Sequence, residues 1–454
     1  MIRKSKWLMM LVGVLALSTI LSACSSSSNG NTNAGSNGTG TKEQTPVNSS
    51  DKVVKLKIWG GVPEESGPGD VVANWNASNP GIQVEYVRYV NDDSGNTKLD
   101  TALISKTDAP DIFISYGETY FNRRMHAGMT APMDEWIQKT GFDVDAVIGD
   151  DNVIKHNDQI FYLPAMKQIS MVLINQTALA AASEQLPTDW TWDDYVALAG
   201  KLTTGNVFGS FIEAPGEILP KILLTLSQPQ DSYYDAEGLS SFGNAAVEKG
   251  LQLQKQLYDE NSMISWPESI SNNLKPYSEL FTGQANMILG GTHLMRYVKN
   301  TEEFPRDFKV AFAPNPQFEK GGKVNIAGFN DLISINSKSE NKEAAMSFIS
   351  WYLTEGNTAM IPGGRIPTNK QVDMDKLVEL FVGEAADLID VESLKHVLSI
   401  DYVFPKQVKS VAYAELTKIL SEESEKYMMN ALPLDQIMER VKTRADQAIQ
   451  AESK

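Results

Sequence analysis

Cysteine is almost absent from this 454-residue chain: Cys24 is the only one. A single thiol cannot form an intramolecular disulfide, so no disulfide framework holds the fold. Four histidines, His126, His156, His293 and His396, are scattered along the sequence. None pairs at i, i+4 spacing and none lies beside a cysteine cluster, so neither a metal nor any other cofactor is expected. The G-x-S-x-G elbow, the G-x-x-x-x-G-K-S/T phosphate loop and the G-x-G-x-x-G fingerprint are all missing. Lys323 follows Gly321-Gly322 but lacks the next Ser or Thr. Carboxylate pairs such as Asp92-Asp93 and Asp193-Asp194 have no defined separation in space, which a glycosidase requires. Positive charge is scarce too. The net charge of −17 repels nucleic acid and anionic lipid, so neither is an expected partner.

Long apolar runs are confined to the beginning. Arg3, Lys4 and Lys6 form a positive head, and Leu8 to Leu21 is nearly all apolar. That run of about 14 residues falls short of the ~20 a spanning helix needs. Ser22 and Ala23 precede Cys24, the layout of a secretory signal peptide over residues 1–23. Leu21-Ser22-Ala23-Cys24 resembles a bacterial lipobox. The resemblance implies cleavage before Cys24, diacylglycerol on its sulfur, and a protein held by lipid at the outer face of the cell membrane. Residues 25–50 are mostly Ser, Asn, Gly and Thr. Such a tract buries too little apolar surface to offset its chain entropy; as a flexible tether it reaches about 25–30 Å.

The body from Asp51 has ordinary globular composition, 42% hydrophobic and 21% charged over the whole chain. "VVKLKIW" alternates, with Val54, Leu56 and Ile58 on one face, and Gly60-Gly61 breaks it. A helix around Val71 to Trp75, an alternating "IQVEYVRY", a helix over Leu99 to Ser105 and an apolar strand "PDIFISY" follow. This order predicts a doubly wound α/β lobe. Ile160 to Asn175 reads as an extended stretch interrupted at Pro164. Thr191 caps a helix with Asp194 three residues on. Ala344 to Leu353 form another helical stripe, with Gly356 as its C-terminal stop. Two helices flank Pro433.

Glycines sit beside polar and aromatic residues at expected element ends: "WGG", "YGE", "GGTH", "AGFND" and "PGGRIP". Ligands of open α/β sheets lie beyond the carboxyl ends of strands. A cleft there lined by Trp59, Tyr116, Glu118, Phe329, Asn330 and Asp331 suits a neutral polyhydroxylated ligand, with rings stacking on C–H faces and polar groups meeting hydroxyls. Adjacent tyrosines such as Tyr233-Tyr234 occur in iron sites, but no motif supports that role here.

Over Lys55 to Gln447 the chain resembles the extracellular solute-binding proteins of carbohydrate-type ABC importers, the group that includes maltose-binding protein. The marks are spread: "LKIW", "NPGIQVEY", "APDIFI", "GMTAPMDEWI", "FYLPAMKQISMVLIN", "LPTDWTWDDYVALAGKL", "LFTGQANMILGG", "KVAFAPNP", "INSKSENKEAAMSFISWYLTEG" and "GGRIPTN". The resemblance implies a two-lobed α/β periplasmic-binding-protein fold, with a ligand cleft between lobes joined by crossing strands. It places residues 51–164 and 317–360 in one lobe, and 165–316 and 361–454 in the other. By position it assigns ligand contacts to Trp59, Gly60, Gly61, Tyr116, Glu118, Lys167, Gln168, Phe329, Asn330 and Asp331. The helix start that often reads Gly-Pro-Trp is here Gly291-Thr292-His293. The implied protein is no enzyme but a monomeric receptor that closes on a sugar and delivers it to a permease. Two other readings stay open. A non-sugar solute such as a glycerol phosphate would draw on Lys167 or Arg365, and a lipoprotein glycan hydrolase would turn its ligand over.

Overall fold

The protein was analysed as a computed structural model that describes residues 53–216, 218–406, 409 and 411–452. The leader, Cys24 and the Ser/Asn/Gly tract lie outside the described residues. Eight strands form the framework: β1 (Val54–Gly60), β2 (Ile82–Arg88), β3 (Ile112–Ser115), β4 (Leu163–Asn175), β5 (Met287–Gly291), β6 (Val310–Pro314), β7 (Ala327–Ile335) and β8 (Ile366–Pro367). β1 runs parallel to β2 and β3, and β3 is antiparallel to β7, with Ser115 opposite Leu332. The carboxyl ends of β1 and β3 therefore lie side by side, next to the middle of β7.

β4 changes partners along its length. From Leu163 to Ile169 it pairs with β7, and from Ser170 to Asn175 with β5 and β6. β8 adds at Met166 and Lys167. The apolar residues divide at the same place. One core takes Leu56, Ile58, Ile112, Ile114 and Phe348 and extends to Met166 on β4, Ile333 on β7 and Met360. Another begins at Ile169, Ala327 and Ile361. The chain is thus a two-lobed α/β protein, and the segments crossing between cores are β4, β7 and the stretch through Gly364 and Arg365 into β8.

Local chemistry explains most elements. Thr191 and Asp194 form a complete capping box on the helix Trp192–Leu202. The helix Lys342–Thr354 buries Ala345, Phe348, Ile349, Tyr352 and Leu353. Three expectations change. Pro164 does not interrupt β4 but is its second residue, where a missing N–H is tolerated. The helix expected at Leu99–Ser105 runs over Asp93–Leu103, because the Asp92 carboxylate accepts from the Gly95 amide and caps it earlier. Gly356 does not stop its helix by a left-handed turn; a Cβ there would lie 2.4 Å from the Trp351 ring, so close packing demands the glycine. Tyr233 stacks on Tyr413 at 5.0 Å and Tyr234 donates to the Val411 carbonyl, so both tie the C-terminal helices to the second lobe.

Candidate functional site

The ends of β1 and β3 are shaped by tyrosines lying on glycine. The Gly61 amide donates to Tyr116 Oη at 2.7 Å, and a Cβ on Gly61 would stand 2.7 Å from the same ring. A Cβ on Gly60 would likewise stand 2.7 Å from Tyr86 Oη, and that hydroxyl donates to the Val62 carbonyl. Behind these rings lies a buried charge pair. Asp331, fully buried, adopts the left-handed conformation with φ 53°, a conformation that costs a non-glycine residue about 1–2 kcal/mol. Its Oδ2 is 3.6 Å from Arg365 Nε, too long for a hydrogen bond. Both carboxylate oxygens and Arg365 Nε are buried without a hydrogen-bond partner among the described residues. Burial pushes the Asp331 carboxyl up against the pull of Arg365 and Arg296. Burial also works against the Arg365 charge, but Asp331 and the surrounding Tyr116, Tyr352 and Tyr86 hold its pKa above the usual arginine value.

Gly364 carries this pair to the second lobe. With φ 87°, it brings its backbone so close that a Cβ would lie 2.4 Å from the Thr292 carbonyl and 3.1 Å from His293 Cα. His293 is held neutral, with a pKa of about 3, by burial and then by the charges of Arg365 and Arg296. Its Nδ1 has no partner among the described residues. His293 and Gln168 open onto a cavity of about 460 Å³, within the usual range for small-molecule sites. Its wall also carries Trp192, Glu213, Lys275, Tyr277 and Asn315. Glu213 and Lys275 pair at 2.5 Å, and Tyr277 stacks on Tyr297 at 3.9 Å. Trp192, 2% exposed, has an indole N–H with no acceptor among the described residues.

The residues singled out in the sequence fall into four groups. Gln168, Asn330, Asp331, Arg365, His293 and Tyr116 are drawn together around the crossing segments, with Asn330 Nδ2 donating to Gln168 Oε1 at 3.0 Å. Lys167 and Phe329 lie opposite one another and so share the other face of β4 and β7. Phe329 stacks on Phe404 at 4.5 Å. Lys167 is largely buried, which lowers its pKa, and makes no side-chain ion pair among the described residues. Trp59 is spent on packing: it joins Tyr89, Leu99, Leu103 and Phe113 beneath Lys98 and does not line the cavity. Glu118 opens the helix Glu118–His126, and burial, then the charge of Asp231, raises its pKa to about 7. Glu213, Lys275, Tyr277, Trp192 and Asn315 escaped sequence reasoning. The one local signal was "IEAP", a carboxylate two residues before a proline and shortly before the helix Leu219–Ser227. Among the described residues, no group of three or more His, Cys, Asp and Glu could hold a metal ion.

Comparison with known proteins gives a consistent result. A search of the curated proteins finds no match. Among solved structures, an ABC substrate-binding protein from Listeria monocytogenes in complex with cycloalternan superposes with a TM-score of 0.72 at 19% identity, over 88% of this chain and 100% of that one. UgpB from Mycobacterium tuberculosis in complex with glycerophosphocholine gives 0.69 at 14%, over 88% and 99%. The sugar-binding protein MalE from Xanthomonas citri gives 0.66 at 15%, over 88% and 98%. These likenesses establish the shared fold. The family profile described as bacterial extracellular solute-binding protein matches residues 62–359, most of the body, and the chain belongs to that family.

Proposed function

We propose that the protein is the extracytoplasmic solute receptor of an ABC importer, anchored through a lipid on Cys24, and that it captures a sugar or oligosaccharide between its lobes. One observation carries the reading. A cavity of about 460 Å³ opens beside the strand that joins the lobes, walled by aromatic rings and by polar groups that lack partners. Rings of Trp192 and Tyr277 suit the C–H faces of a sugar, and Gln168, Asn315, Glu213 and Lys275 suit its hydroxyls. A solute gripped from both sides favours the closed arrangement by its differential affinity, and β4, β7 and the Gly364 segment are the elements about which the lobes rotate. ATP hydrolysis then belongs to a separate subunit, and the chain delivers its solute unchanged to the permease. The lipid keeps the receptor near that permease and raises its effective concentration.

A second reading, a phosphate-bearing solute such as a glycerol phosphate, is favoured by Lys167, a largely buried cation without an ion pair among the described residues. A thermal-shift panel of mono- and oligosaccharides with glycerol 3-phosphate separates the two. A binder at a hundred times its dissociation constant adds ~2.7 kcal/mol of stability. Tyr277→Ala should abolish the shift from a saccharide that binds in this cavity. An unchanged shift would place the saccharide elsewhere.

A further inference from the structure

One end of the cavity floor is aliphatic. β4 and β5 pair Ser170 with Gly291 and Val172 with Leu289, so these four residues share one face of the sheet. The Ser170 amide also donates to the Ile326 carbonyl at 3.4 Å, which sets Ile326 on the other flank of β4. Gly291 has no side chain to fill the space between the flanks. Ile222 reaches the same cavity from the helix Leu219–Ser227, whose Leu219, Leu223 and Leu226 are buried. Ile222, Leu289 and Ile326 all line the cavity, are half-buried, and pack against one core that includes Val172 and Ala313. A single half-exposed aliphatic side chain is ordinary. Three that converge in one concavity make a surface that favours an apolar group over water. The polar groups stand elsewhere on the wall, at Gln168, at Asn315 and at the Glu213–Lys275 pair.

We infer that the cavity selects a methyl-bearing saccharide, whose methyl, on a 6-deoxy carbon or an acetamido group, seats among Ile222, Leu289 and Ile326 while its hydroxyls meet the polar wall. The inference rests on the saccharide reading above and adds the chemical class. A hydroxyl in that seat gives up its hydrogen bonds to water and finds only hydrocarbon side chains. A methyl in an apolar pocket of this kind is worth about tenfold or more in affinity.

Isothermal titration calorimetry with matched pairs tests this: 6-deoxyglucose against glucose, 6-deoxygalactose against galactose, N-acetylglucosamine against glucose, N,N′-diacetylchitobiose against cellobiose, and glycerol 3-phosphate as a separate arm. At least one methyl-bearing sugar should bind about tenfold or more tighter than its partner, with a more negative heat-capacity change. The pair that responds, deoxy or acetamido, identifies the source of the methyl. Ile326→Thr keeps a β-branched shape but puts a hydroxyl in the seat, and it should close most of that gap. Ile222→Thr, on a different element, should do the same. Partners that bind as tightly as the methyl-bearing sugars overturn this inference and leave the saccharide receptor standing, as does a preference that survives both substitutions. Binding of glycerol 3-phosphate alone overturns it in favour of the second reading. Silence from every probe overturns both the class and the receptor reading on which it rests.

Discussion

Glu118 is a carboxyl whose charge is set by its surroundings. Burial and the negative charge of Asp231 raise its pKa to about 7 from the usual 4.5. A carboxyl raised on folding leaves stability intact below about 4.5 and erodes it as pH rises through about 7. The melting temperature of the empty protein should therefore fall between those values, and Glu118→Gln should flatten that slope. An identical slope in the variant would mean that other groups set it. Gly364 is the matching backbone case. Its positive φ and the 2.4 Å approach to Thr292 leave no room for a methyl group. Gly364→Ala should lower unfolding stability by about 1–3 kcal/mol in urea titrations. His293 and Arg365 were exposed by the glycine-flanked stretches GGTH and PGGRIP, whereas Gln168 was reached only through the family resemblance. The sequence hid Trp192 inside a helical stripe and Glu213 in a loop with no periodicity.

Among elements, those with a single local cause were readable. Alternation marks β1 and β2, and a capping box marks the helix Trp192–Leu202. β4 was readable as a crossing strand only through the family resemblance, which placed the first crossing at Ala165 to Gln168. The switch at Ser170 is set by β7, β5 and β6, all more than a hundred residues later, so the local pattern does not mark it. The C-terminal helices Tyr413–Met428 and Leu434–Glu452 were expected, but the contact that joins them was not. Fully buried Glu423 receives Lys426, Arg440 and Arg444. Burial opposes its charge, and those three cations overcome the opposition and lower its pKa to about 2. A depressed carboxyl gives stability above about 4.5 that is lost as pH falls toward 2. Glu423→Ala removes the charge-assisted hydrogen bonds to three partly exposed cations and should cost about 1.5–3 kcal/mol. Because the pair exists only while Glu423 is ionised, the difference between variant and parent should shrink in acid. A constant difference across pH would refute the ion-pair account.

At the scale of the molecule, β4, β7 and the Gly364 segment run from one apolar core into another, and among the described residues the unpartnered Asp331, Arg365 and His293 groups lie at that passage. β4 carries Gln168 to the cavity, and Asn330 on β7 donates to its side chain. The family resemblance anticipated that architecture. The cavity itself needed the fold, since Gln168, Glu213, Tyr277 and His293 reach one wall from separate parts of the chain. Small-angle X-ray scattering on the protein, empty and saturated with the panel saccharide of largest thermal shift, tests hinge closure most directly. The account predicts a smaller radius of gyration in the saturated sample and recovery of the saccharide unaltered. Superimposable scattering curves, or a saccharide returned cleaved, would contradict it.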